Sequence, residues 1–361
     1  MIVVPALLAL GFVVVGTARF RLHPFVALLV AAFGLGLGSG MPTSDVARHA
    51  AEGFGSTASA IGVVIAAGAL IGVVLEATGG AEALATGTLA AVGERFALIA
   101  VGLAGLLVGV PVFCDSGFVL LAPVVRRLAV RAGERREVAL VMLSMGLYMT
   151  HVLVPPTPGP VAAAGALGVD LSRMIALGFF VALPALAAVR AYARWASGSA
   201  PEAPEPSAVL GSSESGAPSA VTDAARPPGF ARALAPILLP VLLLAVRSWA
   251  LPFKTASSGA VFAFVEFLGH PWVALFVGAA VAFVALGWSA RARWLAWSED
   301  ALRIAGPIVL ITAAGGAFGG VLRATSLTGL LSGVAGAAPA GTLALVIPFV
   351  VAALLKTGVG S

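Results

Sequence analysis

The sequence predicts an all-α, polytopic membrane protein made of two repeats of opposite orientation, on three observations: extreme apolarity, a repeat at a fixed offset, and two polar breaks inside apolar runs. Of the 361 residues, 60 % are hydrophobic and 10 % charged, and mean hydropathy is +1.06. Soluble domains run at roughly 45–50 % apolar and 25 % charged. A helix needs about 20 apolar residues to cross a hydrocarbon layer of roughly 30 Å, so the chain has room for on the order of ten spans. The lipid bilayer is its solvent.

Apolar runs predict spans over residues 2–18, 24–40, 57–76, 97–113, 118–130, 137–150, 160–190, 233–250, 271–289, 304–323 and 340–355. The first lacks a basic segment before it and is followed by Arg19 and Arg21, the reverse of a secretory signal, so it reads as a retained span. Residues 197–228 are dominated by Pro, Ser, Ala, Glu and Gly, the composition of a flexible linker. It divides the chain into a first membrane repeat, 1–196, and a second, 229–361. Cys114 is the only cysteine, so no intramolecular disulfide forms.

The net charge of +5 and isoelectric point near 10.3 arise from short arginine clusters between apolar runs. With no aromatic interleaving they are topology signals and not a nucleic-acid surface. Arg126, Arg127, Arg131, Arg135 and Arg136 form the densest cluster, which the positive-inside rule places in the cytoplasm. The pairs Arg19 with Arg21, Arg190 with Arg194, and Arg291 with Arg293 join it there only if Phe96 to Arg131 enters and leaves on one side, as a re-entrant hairpin. The N-terminus is then outside and the linker inside.

His23-Pro24-Phe25-Val26-Ala27-Leu28 recurs as His270-Pro271-Trp272-Val273-Ala274-Leu275, an offset of 247 positions. The stretch from Gly68 to Thr78 recurs from Gly315 to Thr325 at the same offset of 247. On the topology above these repeats are inverted, the arrangement by which secondary transporters open a central site alternately to each side.

The first break is Gly109-Val110-Pro111-Val112-Phe113-Cys114-Asp115-Ser116-Gly117-Phe118, the tip of the hairpin. Asp115 and Ser116 are placed to cap a helix beginning at Phe118, and a carboxylate at bilayer depth costs about 2.5 to 3.5 kcal/mol unless it faces a cavity or a partner. The second is Thr150-His151-Val152-Leu153-Val154-Pro155-Pro156-Thr157-Pro158-Gly159-Pro160, where four prolines in six residues end a helix. Its continuation is expected near Pro160, with N–H groups at Gly159 and Val161 open to an anion. Opposed helix ends at the midplane make an anion the natural ligand. Asp115 and His151 are the candidates for carrying a proton with it, histidine because it titrates near neutrality.

Elsewhere the bland readings prevail. Gly68, Gly72, Gly315, Gly316, Gly319 and Gly320 permit close helix approach. Glu76 and Arg323, equivalent in the two repeats, are interfacial anchors. The segment from Trp294 to Arg303 reads as an interfacial helix.

At these residues the chain resembles the gluconate permease family, proton symporters for gluconate and related sugar acids. The likeness rests on Pro111-Val112-Phe113-Cys114-Asp115-Ser116-Gly117-Phe118, on Thr150 through Ala163 with its Pro-Pro-Thr-Pro-Gly-Pro run, and on Gly315-Gly316-Ala317-Phe318-Gly319. The resemblance implies paired hairpins and broken helices in a bacterial inner membrane, with a substrate site at their tips. Uptake of a small organic acid anion is driven by the proton gradient, with no bound cofactor, and superfamily analogy implies a homodimer. Site residues carried over are Asp115, Ser116, Gly117, Thr150, His151, Thr157 and Gly159, with Gly360 and Ser361 from the second tip. Departures are Cys114 in place of an aromatic and Thr157 where some members carry His; both bear on which acid fits. At the 247 offset Ser361 aligns with Cys114, so the second repeat is expected to stop short.

Rival classes find less support. A membrane enzyme would recruit Asp115, His151 and Ser116, but no zinc-type His-Glu pattern, nucleophile elbow or phosphate loop is present. A channel has less need of inverted repeats, and a sodium-coupled organic anion carrier stays open because no cation ligand set is legible.

Overall fold

A computed structural model describes residues 3–93, 96–197, 228–250 and 259–325, with two isolated helical positions, 346 and 349. Among the described residues the chain is all helix. The elements are α1 (Val3–Ala18), α2 (Pro24–Gly38), α3 (Thr43–Ala77), α4 (Gly80–Val92), α5 (Ala97–Val108), α6 (Cys114–Arg131), α7 (Arg136–Leu153), α8 (Pro158–Leu167), α9 (Leu171–Ser197), α10 (Phe230–Ala250), α11 (Ala260–Leu268), α12 (Pro271–Ala285) and α13 (Trp294–Ala324), with a short 3-10 turn at Trp288–Arg293. Among the described residues five runs are long and apolar enough to cross a bilayer, and α11 with α12, bent by 69°, supplies a sixth if the pair is one span. The chain is a multi-pass membrane protein.

It divides into two compact units, Met1–Gly62 with Gly306–Ser361, and Val63–Ala305; α3 and α13 contribute to both. In the first unit, α3 and α13 cross antiparallel at glycine. A Cβ on Gly53 would lie 2.3 Å from the Gly316 carbonyl oxygen, and one on Gly320 would lie 2.5 Å from that of His49. Backbones approach this closely only where side chains are absent. Ala31, Ala32 and Leu35 of α2 close the core against Ala50, Ala317 and Val321.

The second unit is organised around α7. Gly102 and Gly105 of α5 press on Gly146 and Leu143, while Gly109 meets Leu147 and Thr150, so α5 runs parallel to α7. Helix α6 begins beside α7's far end, where Gly117 touches Leu147, and returns to a tight turn leading into Arg136. The segment from α5 to α6 is therefore a hairpin whose two ends lie together. At 12 residues α5 is about 18 Å long, too short to span the hydrocarbon layer.

Helix α9 descends along α7. Gly178 packs on Leu153 and Leu186 on Gly102, and Arg194 reaches Glu134 in the α6–α7 turn at 2.7 Å. At the opposite end Asp170 caps α9 by accepting the Ser172 N–H at 2.9 Å and pairs with Arg247 of α10 at 3.6 Å. Burial alone would push the Asp170 carboxyl up, but hydrogen bonds from Ser172 and Ser248 hold it below the ordinary range. Helices α9 and α10 are thus antiparallel, which returns Arg232 at the start of α10 to the end carrying the Arg126–Arg136 cluster.

The offset read in the sequence reappears in the helix boundaries. Both ends of α12 lie 247 residues beyond those of α2, and α13 ends 247 residues after α3. His23 and His270 are equivalent N-caps, each followed by proline at N1. Two small cores also correspond: Leu35, Ala50 and Val321 cluster in one unit, and their equivalents Ala282, Trp297 and Val74 cluster in the other.

Several expectations need correction. The predicted span 160–190 is two helices, because Gly168 ends α8 in the left-handed conformation at φ 64°. Helix α4 was not expected; its Gly, Thr and Glu content hides a face of buried small residues. The stretch from Trp294 to Arg303 is no separate interfacial helix but the start of α13, with Trp297 only 3 % exposed. The linker core 198–227, the predicted span 340–355 and the second-tip residues Gly360 and Ser361 fall outside the described residues, save the helical positions 346 and 349.

Neighbouring glycines in α13 give a matched test. A Cβ on Gly316 would lie 2.6 Å from the Gly53 carbonyl oxygen, whereas one on Gly315 meets nothing within 4 Å. Gly316→Ala is expected to destabilise by about 1–3 kcal/mol and Gly315→Ala to be neutral or stabilising by up to ~1 kcal/mol, read as midpoints of thermal unfolding in detergent.

Candidate functional site

The two breaks lie side by side against the second half of α3. A Cβ on Gly72 would sit 2.2 Å from the Pro111 carbonyl oxygen, and one on Gly68 would sit 3.0 Å from Pro156 Cγ. These glycines do serve close approach, but to interrupted backbone and not to another helix.

Each break orphans a carbonyl, and a threonine answers it. Pro111 offers no N–H to the Leu107 carbonyl; the Val110 N–H turns to that oxygen at 3.4 Å. Leu106 O, so deprived of its helical donor, receives the fully buried Thr150 hydroxyl at 2.9 Å. In the same way Pro158 offers nothing to Val154 O, which accepts the Thr157 hydroxyl at 2.8 Å. Both hydroxyl protons are committed to backbone, so these side chains hold the breaks in place.

Helix α6 starts earlier than expected, at Cys114, with Phe113 as N-cap and no side-chain capping bond. Asp115 and Ser116 are therefore not caps. They occupy the first turn, both exposed, and the N–H groups of Cys114, Asp115 and Ser116 are the ones a helix start leaves without intrahelical acceptors. Gly117 is buried, and its N–H donates to Phe113 O at 2.8 Å.

Helix α8 starts at Pro158, two residues before the expected Pro160, with Thr157 as N-cap. The Val161 N–H donates to Thr157 O at 3.2 Å, so it is not open to an anion. Because Pro158 and Pro160 have no N–H, Gly159, which is exposed, supplies the first-turn donor there. His151 lies in the last turn of α7 and is partly buried.

The two N-caps, Phe113 and Thr157, line one cleft together with Pro111, Pro156, Pro158 and Ile65. Two helix N-termini, both positive dipole ends, thus meet at one cleft, and Asp115 lies in the first turn of α6, two residues beyond the Phe113 N-cap. A second cleft shares Gly68, Val110, Pro111 and Pro156 but is apolar, walled by Leu171 and Ile175 of α9 and by Pro236, Ile237, Pro240 and Leu244 of α10. The α10 prolines were not singled out in the sequence, although their spacing of four, each cancelling one helical bond, is a legible signal. Among the described residues no cluster of His, Cys, Asp and Glu could hold a metal ion.

Two pairs of substitutions test this arrangement. Thr150→Val removes only the hydroxyl and leaves a buried carbonyl unsatisfied, a loss of about 1–3 kcal/mol, whereas Thr150→Ser retains the bond and much of the stability. Gly72→Ala should lower the unfolding midpoint more than Gly68→Ala, whose neighbour is a proline ring edge and not a carbonyl.

The whole chain, residues 1–361, matches the family described as GntP family permease. It is 32 % identical to a gluconate permease of Pseudomonas aeruginosa, over 98 % of this chain and 77 % of that protein. It is 31 % identical to a gluconate permease of Zymomonas mobilis, over 100 % and 79 %. A D-serine transporter of Escherichia coli is 29 % identical over 90 % and 72 %. No solved structure matches. Joined breaks in a helical membrane scaffold and a match along its full length place this chain among transporters and not enzymes: it belongs to the GntP permease family.

Proposed function

We propose that the chain is a secondary carrier of the bacterial inner membrane that takes up small hydroxylated organic acids together with protons. The observation that carries this is the meeting of the α6 and α8 N-termini at one cleft, with Asp115 in the first turn of α6. Relatives named for gluconate and for D-serine support a ligand with a carboxylate next to a polar substituent, since both compounds have one. The carboxylate is received by the N–H groups of Cys114, Asp115 and Ser116 and by that of Gly159. The Ser116 hydroxyl adds an adjustable donor or acceptor for a substrate hydroxyl.

Coupling follows from charge. An anionic substrate beside an ionised Asp115 meets like-charge repulsion in a medium of low dielectric, and a protonated Asp115 removes it. Substrate and proton therefore enter together. His151, at the end of α7 beside the second break, is the second proton-bearing candidate. Thr150, Thr157 and Gly117 position the tips.

Alternation is supported by the antiparallel course of α3 and α13, counterparts at the 247 offset, and by the matching small cores. Two inverted halves can exchange conformations and turn one site from side to side. The arginine-rich end of the second unit faces the cytoplasm and the N-terminus lies outside.

The test is uptake of labelled gluconate into right-side-out vesicles under an imposed inward proton gradient, with sodium replaced by potassium. Accumulation that a protonophore collapses is expected; accumulation that requires sodium and ignores the protonophore rejects proton coupling. Asp115→Asn is expected to insert normally and to equilibrate substrate without accumulating it, and unchanged gradient-driven uptake by that variant would remove Asp115 from the mechanism.

A further inference from the structure

Away from the breaks, the arginine-rich end of the second unit contains a cleft of about 1100 Å³ lined by Thr78, Arg232, Trp288, Ser289, Arg293 and Trp297. Two cations face it, Arg232 from the start of α10 and Arg293 from the turn before α13, both exposed. Among the described residues no carboxylate lines it. Two of its lining residues are aromatic, Trp288 and Trp297: Trp288 meets Trp294 behind it edge-on, with ring centroids 5.9 Å apart, and the Arg293 guanidinium lies 5.6 Å from the Trp297 ring. Trp297 is 3 % exposed, and its indole N–H has no hydrogen-bond partner among the described residues. A buried donor of this kind normally has an acceptor.

We propose that this cleft binds one anionic phospholipid of the surrounding leaflet, with its phosphate between Arg232 and Arg293 and a glycerol or ester oxygen accepting the Trp297 N–H. Guanidinium groups match phosphate in shape and charge, and basic pockets between membrane helices on the arginine-rich side receive anionic head groups. Val284, Ala285 and Leu286 complete the wall and give an acyl chain an apolar path that free phosphate cannot use. Trp288 is 57 % exposed, and amphipathic rings of its kind are enriched at the head-group level. The lipid would tie α10 to the start of α13. This site does not depend on the transport reading.

The full chain, purified in a zwitterionic detergent, is titrated with phosphatidylglycerol, phosphatidylcholine or inorganic phosphate and examined by native mass spectrometry. One phosphatidylglycerol retained per chain is expected, with affinity at least tenfold weaker in R232Q/R293Q and no comparable retention of phosphatidylcholine. Equal retention of phosphatidylcholine, undiminished binding by the variant, or displacement of the lipid by inorganic phosphate would each overturn the proposal. Should the double variant fail to fold, the unmodified chain decides. Brominated phosphatidylglycerol must quench its tryptophan fluorescence more than brominated phosphatidylcholine does, and equal quenching rejects the site.

Discussion

Backbone that leaves a helix within a bilayer finds no water, so each N–H and C=O it frees must be met by protein. Everything about the second unit follows from having two such interruptions adjacent. Proline creates each one by withholding an N–H, and a threonine closes each by donating to the stranded carbonyl, Thr150 to Leu106 and Thr157 to Val154. An unmet buried carbonyl costs about 1–3 kcal/mol, enough to decide whether a break persists. The close seating of α3, made possible by Gly68 and Gly72, then shields the interruptions from lipid. What is left over after this satisfaction is chemically useful: the first-turn N–H groups of α6 and the Gly159 N–H, which have no acceptor within their own helices.

The glycines divide by what they face. Gly53, Gly316 and Gly320 let α3 and α13 touch backbone to backbone, while Gly315 and Gly319 meet nothing within 4 Å. Lipid tails are as apolar as leucine, so helix association in a membrane relies on close packing more than on a hydrophobic drive. The crossing of α3 and α13 at small residues leaves little side-chain volume between them. The matched cores at Leu35 and Ala282 show the same packing solution used twice.

Much of this was legible in the sequence. The apolar runs located most helices, the polar Asp115-Ser116 beside Pro111 and Gly117 located the first break and the Pro-rich run the second, and the 247 offset matched helix ends to the residue for α2 and α12. Legibility failed where the cause is tertiary. Helix α4 is composed largely of small residues that no apolar run announces. The first turn of α3 carries Asp45, and polarity there masked a helix that begins at Thr43. Asp115 and Ser116 resembled caps because capping residues and first-turn residues share a chemistry; which role applies depends on where the preceding proline releases the chain. Thr150 and Thr157 looked like ligand contacts, and only the geometry of the orphaned carbonyls assigns their protons. The spacing of Pro236 and Pro240 is legible in the sequence, but what they face is not.

That facing surface has a mechanical property of its own. Five prolines, Pro111, Pro155, Pro156, Pro236 and Pro240, line the apolar cleft where the broken segments meet α10. A proline ring presents carbon alone and has no N–H to form or release. Pro111, Pro155 and Pro156 belong to the broken segments and Pro236 and Pro240 to α10, so a displacement of one against the other would shear van der Waals contacts, each of roughly 0.1–0.2 kcal/mol per atom pair, and would exchange no hydrogen bond with the proline nitrogens. Such a seam is a dry one, in which neither face would need to break a proline hydrogen bond to change its register.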